Sequence, residues 1–468
     1  MRILMLCSEY EGLMKTGGLA DACRGLTKAL VEAGHQVLVL LPKYGSLYEL
    51  TTRDWQSVYL TLGDRPFGCA VRHLEKDGVA VGLIEHHEFF QRLRPYDDGE
   101  HGYADNPLRF AFFCKAALSW CREQGFCPDI IHGHDWQTAL AGVYLRQEQA
   151  QDDFFANSRF VFTIHNGAYQ EVVAADWAGQ LELLQSTEPV NLLQQGIRSA
   201  TKLNTVSRGY RDELLSEPAA NGLATLYQQR QADFVGILNG CDYGLWHPAE
   251  DPHLVANYDW PDLTGKARCK TWLRQHHQLP EKAVPLYVAV SRITGQKGFD
   301  YLLPALEQWL PTTDAQVLIM GTGERHYTEA LFALAARFKG QMSFVMGFDE
   351  AMAHKIEAGG DFFLMPSLFE PCGLNQIYSL RYGTLPIVRA TGGLKDTVVP
   401  YPEPDCTGLH FGPATAAALV QTLQQADVLY QDQPAYLAMQ QRGMAQLFSW
   451  QQAREQYEAL YLAALAEN

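Results

Sequence analysis

Short, continuous apolar runs alternate along the chain with stretches whose apolar residues recur every three to four positions. RILMLC at 2–7 predicts a strand. Over 18–33 the positions Leu19, Ala22, Cys23, Leu26 and Leu30 make a helical stripe, which Gly34 ends. VLVLLP at 37–42 then predicts a buried strand. Strand, helix and strand in this order form a βαβ unit, whose right-handed crossover puts a ligand at the strands' C-terminal ends. VAVGLIE (79–85), DIIHG (129–133), FVFTIH (160–165) and KLNTVS (202–207) predict further strands, with helical segments between most of them.

The pattern restarts at PLYVAVSR (285–292), followed by a helix at 298–310, a strand at 316–321 and a helix at 325–338. A strand at 343–347, a helix at 350–358, a strand at 361–366, a helix near 373–382 and a strand at 385–389 complete it. The stretch 240–262, rich in Asp and Pro, reads as a hinge. The end of the chain is amphipathic over 450–466 through Ala453, Tyr457, Leu460, Tyr461 and Ala464. The expected class is α/β, with two doubly wound Rossmann-like domains at 1–240 and 241–449 that face a shared crevice. A terminal helix within 450–468 is able to pack on either domain or cross back to the first.

Composition narrows the function classes. The 468 residues are 47% hydrophobic and 19% charged, which is globular. With 37 basic against 53 acidic side chains the net charge is −16, and no Lys/Arg block interrupts it. Nucleic acid and anionic membrane surfaces are therefore disfavoured as partners. No apolar run approaches the roughly 20 residues of a membrane span, and the N-terminus reads as a strand, not a signal peptide. A cytoplasmic chain is expected. The ten cysteines contain no C-x-x-C pair. Cys114, Cys121 and Cys127 near His132 and His134 allow a zinc site on paper, but reduced buried thiols are the favoured reading.

Against this acidic background, cations placed at strand ends matter singly. Thr16-Gly17-Gly18-Leu19-Ala20-Asp21 returns as Thr391-Gly392-Gly393-Leu394-Lys395-Asp396, each copy between a strand-like and a helix-like run. Glycine lets backbone approach a ligand, and the first amides of a helix suit a phosphate. Lys15 precedes the first pair as a candidate phosphate clamp. Arg292 ends a strand and Lys297 follows in SRITGQKG, an arginine fork and a point charge that together match a diphosphate. His165 and Asn166 end one strand, while His134, Asp135 and Trp136 end another. A histidine there can bond a sugar hydroxyl or assist proton movement. Glu370, in SLFEPCGLNQ, can accept from sugar hydroxyls or stabilise positive charge at an anomeric carbon. Phe348, at a strand end, suits either stacking on a base or core packing. No Asp-x-Asp cluster ends a strand, so a metal-held diphosphate is not expected.

These residues resemble those of bacterial glycogen synthases and plant starch synthases, glucosyltransferases of the GT-B fold. The matching stretches are KTGGLAD (15–21), HDWQTAL (134–140), TIHNGAYQ (163–170), ILNGCDYGLW (237–246) and SRITGQKG (291–298). PSLFEPCGLNQIYSLRYGTLPIVRATGGLKDTV (366–398) and LFSWQQAREQY (447–457) complete the set, in the family's order over nearly the whole chain. The resemblance implies retaining transfer of glucose from ADP-glucose to the non-reducing end of an α-1,4-glucan, either glycogen or a maltooligosaccharide, with no cofactor and no metal. It puts Lys15, Gly17 and Gly18 at the nucleotide sugar, Arg292 and Lys297 on the diphosphate, and Glu370, His165 and Asp135 around the transferred glucose. Asn239, Cys372, Gly373, Leu374 and Thr391 join the substrate-binding set, Gly392 and Gly393 cap the distal phosphate, and Phe348 stacks on adenine.

The related E-x7-E pattern would put its second glutamate at Tyr378, a tyrosine this family usually has. Three departures stand out. Ala22-Cys23-Arg24-Gly25-Leu26-Thr27 puts a charge on the helix after the first glycine pair, Gly167 replaces a bulky apolar residue, and Glu171 stands where glycine normally follows YQ. Other readings are another acceptor, UDP-glucose as donor, or a relative that binds glucan or nucleotide without catalysis. The last would predict erosion of the charged set, which is intact. A dinucleotide oxidoreductase fails because GTGERH (321–326) breaks G-x-G-x-x-G and follows no first strand.

Overall fold

The computed structural model describes residues 1–185 and 187–467. The chain divides into two compact units, Met1–Gly240 with Trp450–Asn468, and Cys241–Ser449.

In the first unit the strands are β1 (Arg2–Leu6), β2 (Gln36–Pro42), β3 (Asp54–Leu62), β4 (Arg65–Lys76), β5 (Val79–Glu85), β6 (Ile130–His134) and β7 (Arg159–Ile164). The short β8 (Val172–Val173) and β9 (Val190–Asn191) pair with each other, and β10 (Lys202–Thr205) and β11 (Phe234–Gly236) follow. One sheet runs in the order β11-β10-β7-β6-β1-β2-β5-β4-β3, parallel except that β4 runs antiparallel to both β5 and β3. Alternate residues of β1 serve both faces. Leu4 and Leu6 enter one core, while Ile3 and Met5 enter the other. A parallel strand buried on both sides needs just such a continuous apolar run, which is why β1, β2 and β5 were readable.

The hairpin of β3 and β4 was not predicted. Val58, Leu60 and Leu62 are buried while Trp55, Ser57, Tyr59 and Thr61 are exposed, an antiparallel edge with one wet face. Its period-2 alternation lacks the unbroken apolar run that marks a parallel strand. Helix Gly18–Glu32 follows β1 as expected. Its Arg24 is paired with Glu11 at 2.5 Å and Asp77 at 2.9 Å, so the unusual charge is neutralised.

The terminal helix Trp450–Leu465 belongs to the first unit, where Trp450, Tyr457, Leu460 and Tyr461 share a core with Ile3, Leu26, Ile130 and Val161. A Cβ at Gly25 would lie 2.1 Å from the Trp450 indole, so this glycine seats the helix.

In the second unit β12 (Leu286–Ile293), β13 (Gln316–Gly323), β14 (Met342–Met346), β15 (Phe362–Met365), β16 (Leu385–Arg389) and β17 (Leu409–Phe411) form a parallel sheet. Its order is β14-β13-β12-β15-β16-β17. Tyr287 and Ala289 face one core, Leu286, Val288 and Val290 the other. β17 and the helices Ala416–Gln431 and Gln433–Ala445 lie beyond the predicted elements. The segment 240–262 is irregular, and its Trp246 ring lies 3.7 Å from His354 and 3.9 Å from Tyr378, stacked on both. Tyr378, at the position of the second glutamate in the related pattern, thus spends its ring on Trp246.

Both sheets reverse their winding direction beside their first strand, between β1 and β6 in one and between β12 and β15 in the other. Loops leaving adjacent strands on opposite sides diverge there and open a crevice for ligands. Among the described residues no helix is long and apolar enough to cross a membrane.

Candidate active site

At the reversal in the second unit, β12 runs into the turn Gly295–Lys297 and β15 into the loop that carries Glu370. Gly298 adopts φ 81, and a Cβ there would sit 1.9 Å from the Pro366 carbonyl oxygen. Glycine is required because the two loops touch at this point. The contact sets Lys297 Nζ 2.6 Å from Glu370 Oε2, and Ser367 donates to the same oxygen at 2.8 Å. Only 16% of the lysine side chain and 9% of the glutamate side chain are exposed. Arg389 Nε holds the loop by donating to the Ser367 carbonyl at 3.1 Å. Ser367 escaped the sequence reading, although its place three residues before Glu370 is a usual distance for a local side-chain bond.

Arg292 is exposed near the end of β12 and donates to Gln296 Oε1 at 3.1 Å. Phe348 is 69% exposed, which rejects core packing and leaves its ring available for stacking. Cys372 is buried, Gly373 turns the chain at φ 74, and Leu374 precedes helix Asn375–Arg381.

The second glycine pair has a role that the spacing did not reveal. Cβ atoms at Gly392 and Gly393 would each lie 2.1 Å from a carbonyl oxygen, of Glu370 and Cys372 respectively. The Gly393 amide donates to the Glu370 carbonyl at 3.0 Å, and Leu394 and Lys395 donate to the carbonyl of buried Thr391. This pair presses against the backbone of the Glu370 loop and braces it.

The first pair differs, since nothing lies within 4 Å of a Cβ at Gly17 or Gly18. The amides before its helix already meet an anion, the buried carboxylate of Glu9. Thr16 N donates to it at 2.5 Å, Thr16 Oγ1 at 2.6 Å, Gly17 N at 3.1 Å and Tyr96 Oη at 2.7 Å. Lys15 is half-exposed and paired with Asp21 at 2.6 Å. Glu9 was missed, although an acidic residue just past the first strand was a visible signal. Tyr96, remote in sequence, had none.

Beside this loop β6 and β7 bring Asp135 and His165 together. Asp135 Oδ1 accepts from the amides of His165 at 2.7 Å and Asn166 at 3.3 Å. Its backbone has φ 56 and ψ −179, a region that costs a non-glycine residue on the order of 1–3 kcal/mol and clusters at functional sites. Burial pushes its carboxyl up to about 7. Burial drives His165 down to about 3, so its ring is neutral. His165 Nε2 lies 2.9 Å from His134 Nδ1. Asn239 is buried, and its Oδ1 is sealed from solvent with no partner among the described residues.

At Gly167 a Cβ would meet Leu214 Cδ2 at 3.2 Å and the hydroxyls of Tyr210 and Tyr227 at 3.3 Å, so neighbours have filled the space a larger side chain would need. Glu171 has φ 52, which explains why glycine suits that position.

Cys114 and Cys121 are buried in the core, Cys127 is part-buried, and all ten cysteines are free thiols. Among the described residues no group of three or more His, Cys, Asp or Glu is placed to hold a metal ion.

Residues 2–229 match the family described as "Starch synthase catalytic domain", and residues 272–443 match "Glycosyl transferases group 1". A glycogen synthase of Aeromonas salmonicida is 42% identical over 484 aligned residues, covering 100% of this chain and 99% of that protein. One from Vibrio atlanticus is 41% identical, covering 99% of each. Among solved structures, the catalytic domain of Starch Synthase IV from Arabidopsis thaliana bound to ADP and acarbose superimposes with a TM-score of 0.90 at 30% identity, over 99% of both chains. A sucrose-phosphate synthase from Thermosynechococcus elongatus shares the fold, with a TM-score of 0.61 at 20% identity over 99% of this chain and 98% of that one. The GT-B expectation holds, and this chain belongs to the glycogen and starch synthase family of glycosyltransferases.

Proposed function

We propose that the chain transfers glucose from ADP-glucose to the non-reducing end of an α-1,4-glucan, glycogen or a maltooligosaccharide, with retention at the anomeric carbon. The observation that carries this reading is the Lys297–Glu370 pair at the reversal between β12 and β15. When a sugar diphosphate breaks, negative charge grows on the phosphate and positive charge on the anomeric carbon. A fixed cation and a fixed carboxylate a hydrogen bond apart answer both changes without reorganisation. Lys297 and the exposed Arg292 take the diphosphate, the arginine as a fork and the lysine as a point charge. Glu370 stabilises the sugar cation.

In the bond balance, the bond from the anomeric carbon to the diphosphate oxygen breaks with its electron pair leaving on ADP. A bond to the acceptor hydroxyl oxygen forms on the same face, and the hydroxyl proton passes to the departing phosphate. His165 and Asp135 hold the transferred glucose, Phe348 offers its ring to adenine, and Lys15, Gly17 and Gly18 contact the nucleotide sugar. Asn239, Cys372, Gly373, Leu374 and Thr391 complete the binding set, with Gly392 and Gly393 bracing the Glu370 loop and capping the distal phosphate with their flanks. The binding of ADP and acarbose by the Arabidopsis protein supports this assignment. The scheme needs neither cofactor nor metal. Free thiols at all ten cysteines support a reducing, cytoplasmic location.

The test is ADP release from ADP-glucose, with and without glycogen, beside a parallel reaction with UDP-glucose. Glycogen-dependent ADP release with an elongated product is expected. Faster turnover of UDP-glucose overturns the donor assignment. Release only with a different acceptor overturns the glucan assignment and directs attention to Gly167 and Glu171.

A further inference from the structure

Beneath the strand ends of the first unit lies a row of polar side chains, where a parallel sheet would ordinarily be apolar. His132, His134, Thr163 and Asn204 are all buried there. We infer that Met5 and His134 are positioning residues that hold His165 in the tautomer with its hydrogen on Nε2, so that the bare Nδ1 is the atom His165 offers to a ligand. The inference deepens the proposed function and rests on His165 belonging to its sugar-holding set.

His134 Nε2 faces Met5 Sδ in direct contact. A thioether sulfur has no hydrogen and can only accept, so the nitrogen facing it carries the proton. His134 is neutral, because burial among His132 and His165 drives its imidazole well below the ordinary range. Neutral imidazole has one hydrogen, so His134 Nδ1 is bare. The 2.9 Å contact from His134 Nδ1 to His165 Nε2 therefore needs the hydrogen on His165. His165 is neutral as well, which leaves its Nδ1 without a hydrogen. That atom has no partner among the described residues and is not among the sealed, unsatisfied ones. His165 thus presents an acceptor, fit for a sugar hydroxyl and unfit to protonate a leaving group.

The neighbouring residues keep His134 from turning. The His132 ring lies 4.2 Å from that of His134, centroid to centroid. His132 is itself held at both nitrogens, by Tyr461 Oη at 2.8 Å and Thr163 Oγ1 at 2.6 Å. Thr163 donates onward to Asn204 Oδ1 at 2.7 Å, and Asn204 Nδ2 to Tyr457 Oη at 3.1 Å. With the Thr163 proton spent on Asn204, His132 must donate from Nε2 and accept from Tyr461. The terminal helix thereby locks the ring against which His134 rests.

The experiment measures imidazole 15N shifts in the full chain labelled at histidine, with His165 assigned by its loss in His165→Asn. Pyrrole-like Nε2 and pyridine-like Nδ1 signals for both His134 and His165 are expected at neutral pH. A hydrogen on His165 Nδ1 in the wild type overturns the inference, whatever any variant does.

Met5→Leu keeps the volume and removes the acceptor. His165 should then show mixed tautomers, and kcat/KM for the donor should fall with the fraction of molecules in the wrong tautomer, about twofold for an even mixture. Met5→Gln, which supplies a carbonyl oxygen, should restore the single tautomer and the rate. A Met5→Leu protein with the wild-type His165 spectrum overturns the inference. An enzyme that fails to use ADP-glucose would leave the spectra unchanged, so the two failures are distinct.

Discussion

Lys297 and Glu370, 73 residues apart in sequence, meet at 2.6 Å because β12 and β15 are neighbours in the sheet. Removing the cation strands a mostly buried carboxylate. Lys297→Met should therefore destabilise the chain by on the order of 3 kcal/mol and weaken donor binding. Urea unfolding and donor titration check both effects. Unaltered stability and donor affinity would return Lys297 to a surface role.

Glu370→Ala should lower kcat by about 100- to 1,000-fold, the range seen when one preorganised electrostatic group is lost. ADP affinity should change little, because the diphosphate is assigned to Lys297 and Arg292. Isothermal titration with ADP beside steady-state assays separates the two. A rate within a few-fold of wild type would remove Glu370 from the chemistry.

Asp135 carries a pH signature. Burial raises its carboxyl to about 7 from an ordinary value of 3.8, so across that window the folded chain binds a proton that the unfolded chain releases. The contribution to stability is full below the unfolded value and is lost as pH rises through about 7. Activity should move the other way if the ionised carboxylate is the form that holds His165 and Asn166, rising as pH rises through the same value. Both trends should vanish in Asp135→Asn. A kcat/KM limb near 7 that persists in that variant belongs to another group.

Glu9 supplies the acceptor for the Thr16 and Gly17 amides and for the hydroxyls of Thr16 and Tyr96. Glu9→Ala should cost about 1–2 kcal/mol, because its donors lie on exposed or part-buried residues where water can take the carboxylate's place, and should speed hydrogen exchange at Thr16 and Gly17. Exchange at the wild-type rate would mean that the loop does not depend on this carboxylate.

Glu171→Gly should be neutral or stabilising by up to about 1 kcal/mol, because relief at φ 52 outweighs the added freedom of the unfolded chain. A drop in Tm would instead show that the part-buried carboxyl does work that repays the strain.

Much of the site was legible because ligand-facing residues of a parallel sheet sit where apolar strands end. Arg292, Asp135 and His165 could be picked out that way, each at the edge of a run buried on both faces. Glu9 lies at such an edge too and was passed over. Phe348 could not be decided, since a strand-end aromatic reads the same whether it points inward or out. The hairpin of β3 and β4 went unread because its apolar residues alternate, as suits an edge with one wet face. The two glycine pairs look alike in sequence and differ in the fold. Gly17 and Gly18 border open space, while Gly392 and Gly393 press on the Glu370 loop.

By itself the sequence determined the order of most of the buried parallel strands, the helices between them and the residue types at their ends, because these follow from periodicity over short windows of chain. Only the tertiary structure decided which strand ends become neighbours. Sheet order brought Lys297 to Glu370 and Asp135 to the amides of His165 and Asn166. Chain folding put Glu9 in the amides of the first glycine loop and seated the last helix on Gly25. Tyr461 reaches His132 across 329 residues, a separation at which no local pattern carries information. Such contacts arise from burying two whole sheet faces at once, and that choice is made by the core as a unit.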